Sequence, residues 1–452
     1  MIIISIFMII SRFAPSPTGL LHIGNIRIAL LNWIYTKSFN GKFILRIDDT
    51  DKDRSNKNFE DKIIEDLIWL GIEWDLFFRQ SERNNRYLDI KEELIRSGYL
   101  YPCFETKDEL INERNMLRKN GKPPIYIRKY ISNNKKNELI SLGIKPYWRF
   151  KIDYDEDIIW NDMIRGEIKI DPKTISDPIL FKENGDPTYT ICTVVDDMDH
   201  NITNIIRGED HLTNSATHIK IFSALGVKNY PKLAHIPLVY NKETDISKRS
   251  GGGFDIKSLR ESGIESMVIN SMMALIGTSY DIKPYKNISD LFMISDLNKI
   301  SKSRILYNRN DLDILNEKYI KSLSYNEIKK RFNNIPEFTH DFWEFIKNNI
   351  KNINEVDEWL KICNKKVFLY SPKDKEEKIF LDLCASLLPE GIPDKSTWNI
   401  WMEKIKKFSD RSGKNLFMPL RLSLSGKDKG PEMKILISFM SRDLIIYRLR
   451  LF

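Results

Sequence analysis

Apolar positions near the amino end come in short runs separated by turn-forming residues. Ile9 to Phe13 is too short for a helix and reads as a buried first strand. In IGNIRIALLNWIYTKSF, Ile26, Leu30 and Ile34 recur on one side of a helix, and Gly41 stands at its expected stop. KFILRIDD reads as a second buried strand. A strand–helix–strand unit of this length implies parallel strands with a right-handed crossover. Ligands of open α/β sheets bind outside the carboxyl ends of the strands. The turn from Pro15 to His22 and the strand end at Asp48 and Asp49 should therefore meet at one crevice.

A stripe of Phe59, Ile63, Leu67 and Leu70 predicts a further helix ended by Gly71. Residues 101–188 differ: they are basic and loop-rich, with short strands such as PYWRFKI and GEIKI, and read as an insertion between two halves of a sheet domain. TYTICTVVDD and ITNIIRGED resume buried-strand character near 189–210. Gly251 to Gly253 predict a flexible loop. From about 325 the pattern is helical, and Pro431 in GPEMKILISFM suits a first helical position.

Length and composition narrow the class. A chain of 452 residues suggests two to four domains, and 42% hydrophobic with 30% charged residues is ordinary for a globular protein. The net charge of +8 suits an anionic partner such as a nucleotide or nucleic acid. Composition alone slightly favours a blander origin, AT-rich coding, which makes Ile, Asn and Lys abundant throughout. The four cysteines form no CxxC pair, which supports neither a zinc knuckle nor a disulfide framework and fits a reducing cytoplasm. MIIISIFMII is too short to span a bilayer and lacks signal-peptide features, so no membrane association is expected. Met1 and Met8 are both candidate starts.

Neither a GxxxxGK[ST] loop nor a GxGxxG turn is present, which argues against P-loop and dinucleotide enzymes. The turn after the first strand is APSPTGLLHIGN. Pro15 and Pro17 stiffen it, and Gly19 permits close approach. His22 stands at the helix start with Asn25 one turn on, where helix amides favour phosphate. On residue types alone, a phosphate donor and an ordinary capping histidine are equally supported. In DISKRSGGG, the pair Lys248 and Arg249 could close over a triphosphate or simply be a solvated loop.

Together these elements resemble the class I aminoacyl-tRNA synthetases. His22-Ile23-Gly24-Asn25 is similar to their His-Ile-Gly-His signature, and Asp245-Ile246-Ser247-Lys248-Arg249 to their Lys-Met-Ser-Lys-Ser loop. RFAPSPTG, LRIDDTD, WLGIEWD, PTYT, VVDD, IIRGEDHLTN and MPLRLSLSG, in that order, look like bacterial-type glutamyl-tRNA synthetases across almost the whole chain. The resemblance implies an α/β Rossmann-like parallel-sheet catalytic domain with an inserted acceptor-binding domain and an all-α anticodon-binding region. The expected boundaries are 1–100 and 189–240 for the catalytic halves, 101–188 for the insertion, 241–325 for a connecting domain with the Ser-Lys-Arg loop, and 326–452 for the helical region.

The family implies residue roles. Glutamate would meet Arg12, Ala14, Ser16, Asp48, Tyr189, Thr193 and Arg207. ATP would meet His22, Gly24, Ser247, Lys248 and Arg249, with His22, Asn25 and Lys248 serving the chemistry. Expected partners are ATP with Mg²⁺, L-glutamate, tRNA(Glu) and, as an open alternative, tRNA(Gln); a monomer is expected. Asn25 replaces the second signature histidine, Asp245 the first loop lysine, and Asp48 a more usual glutamate. Cys103 stands alone where zinc-holding relatives have a cysteine cluster, so no zinc is expected. Rival readings are a glutaminyl-tRNA synthetase and a tRNA-binding paralogue without catalysis.

Overall fold

The first strand, β1 (Ile10–Phe13), leads through helix α1 (Ile23–Ser38) to β2 (Lys42–Ile47). The strands pair in parallel, with Ile10 opposite Lys42 and Phe13 opposite Leu45. α2 (Lys57–Trp69) returns the chain to β3 (Leu76–Arg79), giving the parallel order β1-β2-β3. This computed structural model describes residues 8–241 and 254–450. α1 stops near the expected place by a different device: Asn40, not Gly41, takes the left-handed conformation, at φ 53°. Gly41 serves closeness instead, because a Cβ there would collide with the Ile9 carbonyl oxygen.

After α3 (Asn84–Arg96) come β4 (Leu100–Cys103), α4 (Lys107–Lys119), α5 (Asn133–Ser141), β5 (Tyr147–Phe150), β6 (Ile158–Asp162), β7 (Gly166–Ile170) and β8 (Ile179–Phe181). β4, β5 and β8 form an antiparallel sheet, while β6 and β7 form a hairpin. α4 and α5 bury none of their residues.

TYTICTVVDD is a helix, α6 (Tyr189–Asp199), and not the expected strand. Its β-branched residues favour a strand locally, but tertiary contacts decide. Thr193, Asp196 and Asp197 share one helical face at i, i+3 and i+4, and Arg46 lies within ion-pair or hydrogen-bond reach of all three. A strand would send Asp196 and Asp197 to opposite faces.

β9 (Asn204–Gly208), α7 (Leu212–Ala224) and β10 (Lys232–Ile236) form a second parallel pair. β9 starts beside β1: the Thr203 N–H donates to the Ile10 carbonyl at 2.8 Å, and the Ile10 N–H donates to Thr203 Oγ1 at 2.8 Å. Farther along, the two strands are not paired as one sheet. The side chain of Asn32, from α1, is buried and bonds to β9. It donates to the Ile206 carbonyl at 2.7 Å and accepts from the Ile206 N–H at 3.1 Å. The order thus leaves β1 in opposite directions, and the β1/β9 seam is the topological switch point.

These elements belong to one compact unit, Met1–Arg260 with Ser266–Arg309; a second comprises Glu261–Glu265 with Asn310–Phe452. Regular helix begins at Arg309, earlier than the sequence pattern suggests. In the second unit, buried Arg448 donates to the carbonyls of Ile362 at 2.5 Å and Lys365 at 3.0 Å, and to that of Leu424. It thereby satisfies acceptors left open at the ends of two helices, Glu355–Asn364 and Gly413–Ser425. Pro431 is not at a first helical position: it stands one residue before Glu432, the N-cap position of the short helix Met433–Leu436. No helix among the described residues is long and apolar enough to cross a membrane.

All four cysteines are buried. Burial pushes the Cys103 thiol up to about 11 and those of Cys363 and Cys384 up to about 12, and raises Cys192 as well. The thiolate is the reactive form. A disulfide reagent at pH 8 should therefore label none of them within minutes in the native protein and all of them in denaturant. Rapid labelling of one thiol under native conditions would show that its packing is loose.

Candidate active site

β1 ends in a turn that is bonded on two sides. The Asp48 N–H donates to the Pro15 carbonyl at 3.1 Å, and the Asn56 N–H to that of Pro17 at 3.0 Å. His22 caps α1, with its own N–H donating to Asn25 Oδ1 at 3.3 Å. A Cβ on Gly24 would sit 3.0 Å from the His22 ring, so glycine lets the imidazole fold over the helix start. Phe254 follows directly on Gly253 and pairs with the same turn. The Ile23 N–H donates to the Phe254 carbonyl at 3.1 Å, and the Ile256 N–H to that of Leu21 at 3.0 Å. The chain leaving the Lys248 segment is therefore fixed beside His22. Asp245, Ser247, Lys248 and Arg249 themselves lie outside the described residues.

At the switch point, outside the ends of β1 and β9, lies a cavity of about 370 Å³. It gathers Arg12, Ala14, Ser16, Asn25, Tyr189 and Arg207 from segments far apart in sequence. Tyr189 opens α6 and packs near His211 and His218, with ring centroids 6.4 and 6.1 Å away. Arg12 is anchored behind by Asp197: Nε donates to Oδ1 and Nη2 to Oδ2, each at 3.2 Å.

Arg207 differs. It is only 5% exposed, and its Nη2 donates to Ser215 Oγ. Its Nε and Nη1 are buried with no hydrogen-bond partner among the described residues. Burial lowers its pKa to about 10, which leaves it charged at neutral pH. A buried cation with unmade hydrogen bonds is destabilising until an anion satisfies it.

Asp48 and Thr193 do not line the cavity; they lie behind it. Arg46 holds them there, donating to Asp48 Oδ1 at 2.6 Å and Oδ2 at 3.2 Å, and to Thr193 Oγ1 at 3.4 Å. Arg46 also donates to Asp197 Oδ1 at 2.8 Å, so one buried network carries Arg12, Asp197, Arg46 and Asp48. Burial outweighs the pull of Arg46 and raises the Asp48 carboxyl to about 6.

Sequence reasoning missed Arg46, Asp197 and the lining residues His211, Asp51 and Arg54. A signal for the first two exists: VVDD places adjacent acids in an apolar run, which requires buried cations, and LRIDD supplies one. Cys103 sits beside the Tyr126 hydroxyl at 3.5 Å, in a cluster with Tyr147. Among the described residues no group of three His, Cys, Asp or Glu side chains is arranged to hold a metal ion.

The site therefore offers cations, hydroxyls and a helix start. That arrangement binds and orients anions.

Comparison with known proteins agrees. Glutamate–tRNA ligase 1 of Orientia tsutsugamushi (strain Ikeda) is 45% identical over 450 residues, covering 98% of this chain and 99% of that protein. Glutamate–tRNA ligase 2 of Ehrlichia canis (strain Jake) is 42% identical, with 97% and 98% covered. The crystal structure of a glutamate tRNA ligase from Elizabethkingia meningosepticum, in complex with its amino acid, matches with TM-score 0.82 and 25% identity over 98% of both chains. Residues 8–315 match the family described as tRNA synthetases class I (E and Q), catalytic domain. With two-thirds of its length inside that match and full-length relatives on either side of it, the chain belongs to the E and Q family of class I tRNA synthetases.

Proposed function

We propose that this chain is a glutamate–tRNA ligase. The observation that carries this reading is Arg207, a buried cation with two partnerless nitrogens in a cavity it shares with Arg12 and Tyr189. A substrate with two carboxylates fits such a site. The glutamate α-carboxylate attacks the α-phosphate of ATP, pyrophosphate leaves, and a mixed anhydride forms. A ribose hydroxyl of the terminal tRNA adenosine then attacks the anhydride carbonyl, and AMP leaves. Mg²⁺ arrives with ATP as part of that substrate.

Arg207, Arg12, Ala14, Ser16 and Tyr189 hold glutamate, while Asp48 and Thr193 act from behind through Arg46. His22, Gly24 and Asn25 meet the ATP phosphates at the start of α1, joined by Ser247, Lys248 and Arg249 from the loop. Positioning and charge stabilisation supply the rate. Residues 101–188 hold the acceptor end and residues 326–452 the anticodon; the enzyme works as a cytoplasmic monomer.

The test is charging with labelled amino acid, ATP and purified tRNA(Glu) or tRNA(Gln). The expected result is glutamyl-tRNA(Glu) with AMP and pyrophosphate released. Charging of tRNA(Gln) with glutamate would extend the acceptor range. Preference for glutamine as the amino acid, or tRNA binding without any charging, would overturn the proposal.

A further inference from the structure

Behind Arg207 runs a line of polar side chains that no step of the reaction touches. Arg207 Nη2 donates to Ser215 Oγ on α7. Ser215 Oγ lies 2.6 Å from His235 Nε2 on β10, and His235 Nδ1 lies 2.6 Å from Asp162 Oδ2 at the end of β6. Ser215 and His235 are fully buried, and Asp162 is nearly so. Serine, histidine and aspartate here have the spacing of a nucleophilic triad. They cannot act as one, because Oγ is sealed in the core and already accepts an N–H from Arg207.

The protons run in one direction. Burial lowers the pKa of His235, so its imidazole is neutral at pH 7 and carries one N–H. Asp162 takes that N–H at Nδ1, while its Oδ1 is engaged by the N–H groups of Ile164 at 3.0 Å and Arg165 at 2.9 Å. His235 Nε2 is thereby left as an acceptor for the Ser215 O–H. The Ser215 lone pairs then face Arg207. The other acceptor within reach of the Ser215 hydroxyl is the His211 carbonyl, at 3.2 Å.

We propose that Ser215, His235 and Asp162 are positioning residues that fix the orientation of Arg207 toward the carboxylate of the amino-acid substrate. This rests on the glutamate-ligase reading. Asp162 sets the histidine tautomer, the tautomer sets the serine hydroxyl, and the hydroxyl holds one edge of the guanidinium. The other nitrogens, Nε and Nη1, stay directed for the ligand. None of the three touches substrate, so their effect should fall on glutamate alone.

The experiment compares steady-state pyrophosphate exchange, with tRNA(Glu) present, in the full chain and its variants. Ser215→Ala should raise the glutamate KM about tenfold, the scale of one hydrogen bond to a charged group, with the ATP KM and kcat within about twofold of the parent. Ser215→Thr keeps the hydroxyl and should restore the glutamate KM to within about threefold. Asp162→Asn presents an N–H to Nδ1 and forces the other tautomer. It should raise the glutamate KM about fivefold, again without moving that of ATP. If Ser215→Ala does not fold, Ser215→Cys, near in size but a poor acceptor, should give the same rise. An unchanged glutamate KM in a folded variant, or equal rises for glutamate and ATP, overturns the positioning role. Absence of glutamate activation in the parent enzyme would instead overturn the ligase reading.

Discussion

Replacing Arg207 with alanine should raise the glutamate concentration needed for half-maximal activity about 100- to 1000-fold, the range for truncating one partner of a buried charged pair. The ATP requirement should barely move. Arg207 is the one cavity cation whose described bonds leave two nitrogens unpartnered. Arg12, by contrast, has its Nε and Nη2 engaged by Asp197. Alanine removes the charge and leaves the incoming carboxylate buried without a counter-ion. In the proposed function ATP phosphates meet the start of α1 instead, so their binding should be separate. Lysine should rescue poorly, since it offers a point charge in place of a planar fork anchored on Ser215. Steady-state kinetics with each substrate varied in turn decides the matter, and equal rises for both would refute a carboxylate-binding role.

Arg46→Met should lower the stability of the unit that holds the sheet by about 3–5 kcal/mol, the usual penalty for orphaning a buried ion pair. Arg46 is 1% exposed and neutralises both Asp48 and Asp197. The deficit should depend on pH. With Asp48 raised to about 6 in the folded protein, the native state binds more protons than the unfolded chain between about pH 4 and pH 6. Its contribution to stability therefore falls as pH rises through that window. Removing Arg46 takes away the attraction that holds Asp48 down, so its pKa climbs further and the window extends upward. Thermal melting at pH 5 and pH 8 should show a small deficit at the first and the full one at the second. A deficit equal at both would mean that Asp48 is not the orphaned group.

The parallel unit and the His22 cap were legible because their signals are local. Ile26, Leu30 and Ile34 mark one helix face, and the proline turn punctuates it. α6 was not legible, because burial on several sides blurs the helical period and β-branched residues imitate a strand. The site residues divide the same way. Arg12, Ala14, Ser16 and Asn25, which line one cavity, come from one short stretch and were named through its resemblance to a family motif, whereas the hold of Arg46 on Asp48, Thr193 and Asp197 joins β2 to a helix about 150 residues later. Asp48 in sequence could equally face substrate or Arg46, and only the packed core decides. The cap at Arg448 and the line from Asp162 to Arg207 are likewise products of packing that no local pattern announces.

Asn32 ties one bank of the pocket to a helix. Arg12 stands on one bank of the β1/β9 seam and Arg207 on the other, and a backbone ladder would fix the banks at the standard strand spacing of about 4.8 Å. Here the Asn32 amide ties the backbone of Ile206, one residue below Arg207, to α1, where it also donates to the Ile28 carbonyl. The Arg207 bank is thus held by the helix that follows β1 and not by β1 itself, and a single substitution at position 32 can release it while both strands keep their own sequence.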